Sequence, residues 1–359
     1  MRTVKKLAVA SAVTMLSLGM TACGSNKSDE NSSAPAGSNS GSASNSQGAL
    51  KVALAFDVGG RGDHSFNDSA AAGVDKAKKE FNLTTSDVSA NHGENDAARV
   101  SRLQQLAQSG NNAIVAVGFA YAPAIGKVAK QFPKVSFAMV DDASPDSKGA
   151  NVDQITFTEH EGSYLAGAAA ALKSKSGHIG FVGGVEVPLI KKFEAGYVAG
   201  AKKVNPNIKI DRTYLTQPPE FSGFADPAKG KTAAQGMFQN GADIVYHAAG
   251  KSGDGVFEAT KAAGAGKWAI GVDSDQALTA PAAVRPIILT SMVKGVDVGV
   301  YNFLKAVHEG KFKGGNSVYS LKEGGVSLST TGGHIKDIQG KLDELKKGIE
   351  DGSIKVPSA

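Results

Sequence analysis

The chain holds a single cysteine, Cys23, in 359 residues, so no disulfide can form within it. Beyond the first twenty residues no apolar run approaches the ~20 that a membrane-spanning helix needs. Lysines and arginines are interleaved with acids rather than gathered into a stripe, and no nucleic-acid module is present. No nucleophile elbow of a serine hydrolase occurs. The segment Lys229-Gly230-Lys231-Thr232 suggests a phosphate loop, but that pattern needs glycine at position 225, where Ala225 stands. Glu159-His160-Glu161 could offer metal ligands, yet no second cluster matches it, and acids at a helix start explain it better. Arg61-Gly62-Asp63 spells an adhesion tripeptide, read as coincidental within a longer loop. Aromatics make up only 6 % of the chain, which makes a phenylalanine in a polar loop conspicuous.

What is present begins with a leader. Arg2, Lys5 and Lys6 precede a short apolar run from Leu7 to Gly19, the layout of a signal peptide. Met20-Thr21-Ala22-Cys23 then resembles the bacterial lipobox, so Cys23 is expected to become a lipidated first residue, with the signal peptide at 1–22. Residues 23–49 are Ser-, Gly- and Asn-rich, cannot bury a core, and read as a flexible tether. Removal of the three leader cations lowers the formal charge from +5 to +2, an ordinary solvated surface.

From Leu50 onward, apolar strands alternate with helical segments. Lys51 to Phe56 is a strand, and Ala70, Val74, Ala77 and Phe81 mark one buried face of the helix after it. Ser65-Phe66-Asn67-Asp68 resembles a capping box and predicts a helix start at Phe66. The series continues through strands at Ser86–Ala90, Ala113–Val117, Val135–Val140 and Val152–Phe157, with an Ala/Gly-rich helix at Glu161–Leu172. A second round opens at His178 and runs through strands ending at Leu215, His247, Val272 and Val293. Such alternation predicts an α/β fold of parallel sheets with right-handed crossovers, in two lobes. The expected division is 50–172 for the first lobe, with about 286–320 returning to it. The second lobe is then 173–285, with about 321–359 packing on it.

In open parallel sheets, ligands sit outside the carboxyl ends of the strands. Asp57, Asp141, Gly250, Asp273 and Lys294 each fall at or just past such an end. Any one could be a cap or turn former; together they favour a site. Phe66 and Phe224, both outside core elements, offer flat faces on which a ring could stack.

The ordered set DVGGRGDHSFN, VDD (140–142), FADPAKG (224–230), AAGKSGDG (248–255), GVDSDQ (271–276) and LTSMVK (289–294) resembles the basic membrane protein family, nucleoside-binding lipoproteins of the purine nucleoside receptor type. The resemblance runs from about Leu50 to about Gly325. It implies a type I periplasmic-binding-protein fold, two Rossmann-like lobes closing on a ligand about a hinge. It implies that Phe66 and Phe224 sandwich a nucleobase, and that Asn67 and Asp141 bond its edge. Asp57, Gly250, Asp273 and Lys294 would then hold the ribose hydroxyls. The family usually carries Asp-Asp-Lys or Asp-Asp-Arg before Ser-Phe-Asn; here Gly62-Asp63-His64 keeps one acid and replaces the other with glycine.

The resulting expectation is a monomeric, lipid-anchored, extracytoplasmic binding protein. It would deliver a nucleoside, expected to be a purine, to the permease and ATPase subunits of an ABC importer. No enzyme activity, cofactor, metal or nucleic-acid partner is expected. A binding protein for another small polar ligand, such as a sugar, and a ligand-sensing lipoprotein are the alternatives; a nucleoside hydrolase is a third.

Overall fold

Strand β1 (Lys51–Phe56) is buried along all but its first residue. A strand covered on both faces reads as a continuous apolar run. It lies between β2 (Thr84–Ser89) and β3 (Ala113–Val117), parallel to both. With β4 (Ser136–Val140), β5 (Val152–Phe157) and β11 (Gly315–Tyr319) they form one six-stranded sheet, ordered β11-β5-β4-β3-β1-β2, with every pair parallel. The second sheet has β6 (His178–Val185), β7 (Lys209–Thr216), β8 (Ile244–Ala248), β9 (Trp268–Asp273), β10 (Ile288–Lys294) and β12 (Val326–Leu328). Its order is β12-β10-β9-β8-β6-β7, parallel except for the edge pair β10–β12. The computed structural model describes residues 49–359. The expected leader at 1–22, nearly all of the tether and Cys23 lie outside them. No helix among the described residues is long and apolar enough to cross a membrane.

Helices α1 (Phe66–Phe81), α2 (Asp96–Gln108) and α3 (Ala122–Gln131) connect the strands of the first sheet. On the second, α5 (Pro188–Val204), α6 (Pro227–Gln239), α7 (Gly253–Ala263) and the single turn α8 (Gln276–Thr279) do so. Two further helices cross over. Helix α4 (Glu159–Lys173) follows the last consecutive strand of the first sheet but packs on α5, β10 and β12 of the second lobe. Its Ala/Gly face allows close approach: a Cβ at Gly200 of α5 would lie 1.9 Å from the Tyr164 carbonyl. Helix α9 (Val296–His308) follows β10 and packs on α1 of the first lobe.

The lobe boundaries therefore differ from the expected ones. The chain leaves the first lobe at Thr158, not at 172, because the Ala/Gly face of α4 is complementary to α5. It returns after Lys294, not at about 286, because β10 pairs with β9. A third passage lies between β11 and β12, which the sequence reading did not resolve as strands. Both are short edge strands, and the polar, exposed residues of β11 (GNSVY) carry little apolar signal. The final helix α10 (Gln339–Glu350) packs against α4. The three passages are laced together: Thr158 N donates to the Tyr319 carbonyl at 3.2 Å, and Gly295 N to the Gly325 carbonyl at 2.9 Å.

Candidate functional site

Both sheets point their carboxyl ends into one crevice. In the first, the strand order reverses at β1, which is a topological switch point. The loop leaving β1 holds itself rigid through Asp63, which is 1 % exposed. Its Oδ1 accepts from the backbone N–H groups of Ser65 (2.9 Å) and Asp68 (3.0 Å), and its Oδ2 from that of Asn67 (2.8 Å). Asp63 thus satisfies the free N–H groups at the start of α1. The expected capping role of Ser65 is not found. Its hydroxyl instead crosses to the second lobe and donates to Asp273 Oδ2 at 2.6 Å.

One cavity gathers all eight ligand residues read from the sequence. Asp57, Phe66, Asn67 and Asp141 come from the first lobe; Phe224, Gly250, Asp273 and Lys294 come from the second. Asp57 immediately follows β1 and bonds the Val58 N–H through Oδ1 at 2.8 Å. Its other oxygen lies so near Gly118, at the end of β3, that a Cβ there would approach it to 2.5 Å. Asp141 and Asp273 stand immediately after β4 and at the end of β9 with φ of 70° and 63°, a left-handed conformation uncommon for residues other than glycine. Strained backbone of this kind clusters at functional sites. Phe224 sits on a short turn over Gly184, where a Cβ would lie 2.4 Å from its ring.

Asn67 lines the cavity, but its amide is engaged within the loop. Its Oδ1 accepts from Asp57 N at 3.1 Å and its Nδ2 donates to Asp63 Oδ2 at 3.0 Å. It positions Asp57 as much as it faces the cavity.

Lys294 is the electrostatic centre. It is 2 % exposed and donates to Asp141 Oδ2 at 2.6 Å, with Glu159 Oε1 at 3.7 Å. Its ammonium lies 4.8 Å from the Phe66 ring centre, 5.3 Å from that of Phe157 and 5.5 Å from that of Phe193. Burial alone would lower its pKa; Asp141, Glu159 and Asp273 outweigh this and push it up to about 12. For Glu159 the balance is reversed: burial raises its pKa more than Lys294 lowers it. Burial likewise raises Asp57 to about 6 and Asp63 to about 6, and lifts Asp273 against the pull of Lys294. Asp141 Oδ1 is buried and finds no hydrogen-bond donor among the described residues. The cavity therefore combines excess carboxylate acceptors, one fixed ammonium and aromatic walls. That suits a neutral ligand rich in hydroxyl donors with a flat ring.

Sequence reading missed five contributors. Phe119 follows Gly118 just past β3, the same strand-end signal used for the others, and its ring meets Phe221 and Phe224 across the crevice at 5.8 and 6.4 Å, edge to face. Leu189, Ile190 and Phe193 belong to an amphipathic helix and carry no polar signal. Glu159 reads as an ordinary first-turn acid. No group of three or more potential metal ligands occurs among the described residues.

The profile of the family described as "ABC transporter substrate-binding protein PnrA-like" matches residues 50–358. The chain is 38 % identical over 322 residues to the "ABC transporter nucleoside-binding protein BmpA" of Lactococcus lactis subsp. cremoris, covering 86 % of this chain and 89 % of that one. It is 37 % identical to a "CD4+ T-cell-stimulating antigen" of Listeria monocytogenes, covering 85 % and 87 %. Among solved structures, an ABC transporter solute-binding protein from Aeropyrum pernix superposes with a TM-score of 0.75 at 31 % identity, covering 86 % of this chain and 94 % of that one.

Proposed function

The chain belongs to the family of PnrA-like ABC transporter substrate-binding proteins, binding proteins rather than enzymes, and from that premise we propose that its ligand is a nucleoside, with a purine base. The observation that carries this reading is the composition of the cavity between the strand ends. Phe66 and Phe224 reach it from opposite lobes, beside Asp57, Asp141, Asp273 and Lys294. Aromatic faces grip a base, at roughly 1–3 kcal/mol per stacked base. Carboxylates accept from adjacent ribose hydroxyls, and the Lys294 ammonium donates to their lone pairs. The free Oδ1 of Asp141 is a ready acceptor for a base N–H.

The three laced passages between the lobes are the hinge. Ligand binds one lobe first, and closure about the hinge buries it. The closed form is what the importer's permease reads, with its ATPase supplying the energy of transport. Cys23, lipidated once the leader is removed, anchors the protein on the outer face of the cell membrane, as a monomer. Calorimetry with adenosine, guanosine, inosine, cytidine and uridine tests the ligand. Binding of a purine nucleoside is expected, and heat from none of the five would overturn the nucleoside reading.

A further inference from the structure

One buried charge takes no part in the site described above. Arg99, the fourth residue of α2 in the first lobe, is 3 % exposed. A guanidinium so buried is ordinarily held by several hydrogen bonds. Among the described residues the Arg99 side chain makes one: Nη1 donates to Asp96 Oδ1 at 3.3 Å, and the Asp96 side chain is 59 % exposed. Its Nε lies 3.4 Å from Glu94 Oε1 without a hydrogen bond. Glu94 is already engaged, accepting from both terminal nitrogens of Arg102 and from the Asn91 N–H. The partners of Arg99 in its own lobe give little reason for its burial.

The reason lies across the crevice. The Arg99 guanidinium carbon stands 5.8 Å from the centre of the Phe221 ring, which belongs to the second lobe. A guanidinium is weakly hydrated and stacks on aromatic faces, so a ring can stand where water or a carboxylate otherwise would. The same ring meets Phe119 of the first lobe edge to face, with centres 5.8 Å apart. Phe221 immediately precedes the turn Ser222–Phe224, and its carbonyl accepts from the Phe224 N–H at 3.2 Å. From its own lobe that turn is held at Gly223, whose carbonyl accepts from Ser252 Oγ at 2.7 Å. From the opposite lobe it is held at Phe221, by Arg99 and Phe119, and at the Phe224 ring, by Phe119.

We propose that Arg99 is a positioning residue for the ligand site: it grips Phe221 across the crevice and so fixes the turn that presents the Phe224 ring to the cavity. Arg99 itself does not line the cavity and touches no ligand. The contact joins the two lobes, so it exists only while they are together. A base stacked on Phe224 and the Arg99–Phe221 contact therefore favour the same closed form, and each supports the other. The inference rests on the reading of Phe224 as a stacking face given above.

Arg99 has a second route to the site, because it draws down the Asp57 carboxyl against the effect of burial. Calorimetry of the full chain with adenosine separates the two routes. Arg99→Met should weaken binding about fivefold, and Arg99→Lys, which keeps a cation for the ring, by less than about twofold. Added to Phe221→Leu or to Phe224→Ala, Arg99→Met should weaken it by less than about twofold more, since the path it acts through is already broken. A fivefold loss persisting in either background would route the effect through Asp57 and overturn the proposal, as would wild-type affinity in Arg99→Met. Should Arg99→Met fail to fold, position 221 decides: Phe221→Tyr keeps the ring face and should bind as wild type does, whereas Phe221→Leu should not, and equal affinities would overturn the proposal. Hydrogen–deuterium exchange of the ligand-free chain supplies an arm without nucleoside. The Phe224 and Ala225 amides, bonded to the Phe221 and Ser222 carbonyls, should exchange about threefold faster in Arg99→Met than in wild type or Arg99→Lys. Equal exchange in all three would overturn the positioning role. A failure of adenosine to bind would count against the nucleoside reading alone, because the exchange arm judges the turn without it.

Discussion

The hinge end and the mouth end of the crevice carry the same kinds of charge in opposite settings. At the hinge end, Lys294, Asp141 and Glu159 are at most 5 % exposed at their side chains. At the mouth, Arg61 pairs with Asp75 and Asp87 at 43–49 % exposure. Removing one partner of a buried group leaves an uncompensated charge in a poorly polarisable interior, a loss of about 3–5 kcal/mol. An exposed pair contributes about 0–1 kcal/mol, because water and salt already screen it. The hinge charges therefore determine whether the site exists, and the mouth charges only adjust it. Lys294→Met breaks this contrast most severely. It leaves Asp141 without its cation and Glu159 with only the partly exposed Lys192 at 3.7 Å, and the fold should lose about 3–5 kcal/mol in urea unfolding. Ligand binding should disappear even in the fraction that folds. Retained affinity would show that Lys294 serves the fold alone.

The second largest effect is expected from pH, and it too sits at the buried end. The rise of Asp57 from 3.8 to about 6 corresponds to an effect on the order of 3 kcal/mol. Because the folded carboxyl holds its proton more tightly than the unfolded one, its contribution is fully present below pH 3.8. It is lost as pH rises through about 6. Asp63, also raised to about 6, acts in the same direction. The ligand-free melting temperature should accordingly fall between pH 5 and pH 7.5. Ligand hydroxyls favour the ionised carboxylate, so stabilisation by a saturating nucleoside should grow over the same interval. A ligand-induced shift in melting temperature that is larger at pH 5 would contradict this assignment of acceptors.

Phe224→Ala comes third. The ring sits on a turn rather than in the core, so truncation should spare the fold. Affinity should fall by about 1–3 kcal/mol in calorimetry, the worth of one stacked base. Phe119→Ala should lose less, since Phe119 supports the Phe224 ring by an edge contact. Loss of stability without loss of affinity in Phe224→Ala would make its role local packing, and the aromatic end of the cavity would no longer discriminate a base from a bare sugar.

How much of this was legible beforehand follows the same division. Asp57, Asp141, Gly250, Asp273 and Lys294 were legible only as a set: each alone could be a cap or turn former, but five at strand ends point to one crevice, and they line one cavity. The parallel α/β alternation was readable because buried strands leave unbroken apolar runs. Glu159 was not, because an acid in the first turn of a helix is what the macrodipole favours anyway. Nothing local distinguishes it from one that faces a lysine on another strand. Ser65 was misread as a cap because its spacing to Asp68 fits a capping box. Asp63 lies two residues earlier and takes the N–H groups first, freeing the serine hydroxyl to reach the second lobe. The lobe boundaries failed for a related reason. Whether α4 packs on one sheet or the other depends on a complementary face of α5 thirty residues away, and hydrophobic periodicity reports only that a face is buried.

The smallest expected effect is the sharpest check on the contrast between the two ends. Arg61 stands five residues before Phe66, and its guanidinium makes good contacts: Nε to Asp87 at 2.7 Å, Nη1 to Asp75 at 3.2 Å, and a position 5.7 Å from the Phe56 ring centre. Counted by contacts, it should matter as much as Lys294. Counted by burial, it should not, since nearly half of its side chain is in water. Arg61→Ala should therefore lose less than about 1 kcal/mol of stability at low ionic strength. The difference should vanish in 1 M salt, where the screening length is about 3 Å. Nucleoside affinity should stay within a factor of two of wild type, because Asp63 and Asn67, not Arg61, hold the loop against the ligand. A tenfold fall in affinity, persisting in high salt, would mean that the loop tip is held in place from the mouth, and the division between a determining hinge end and an adjusting mouth end would not stand.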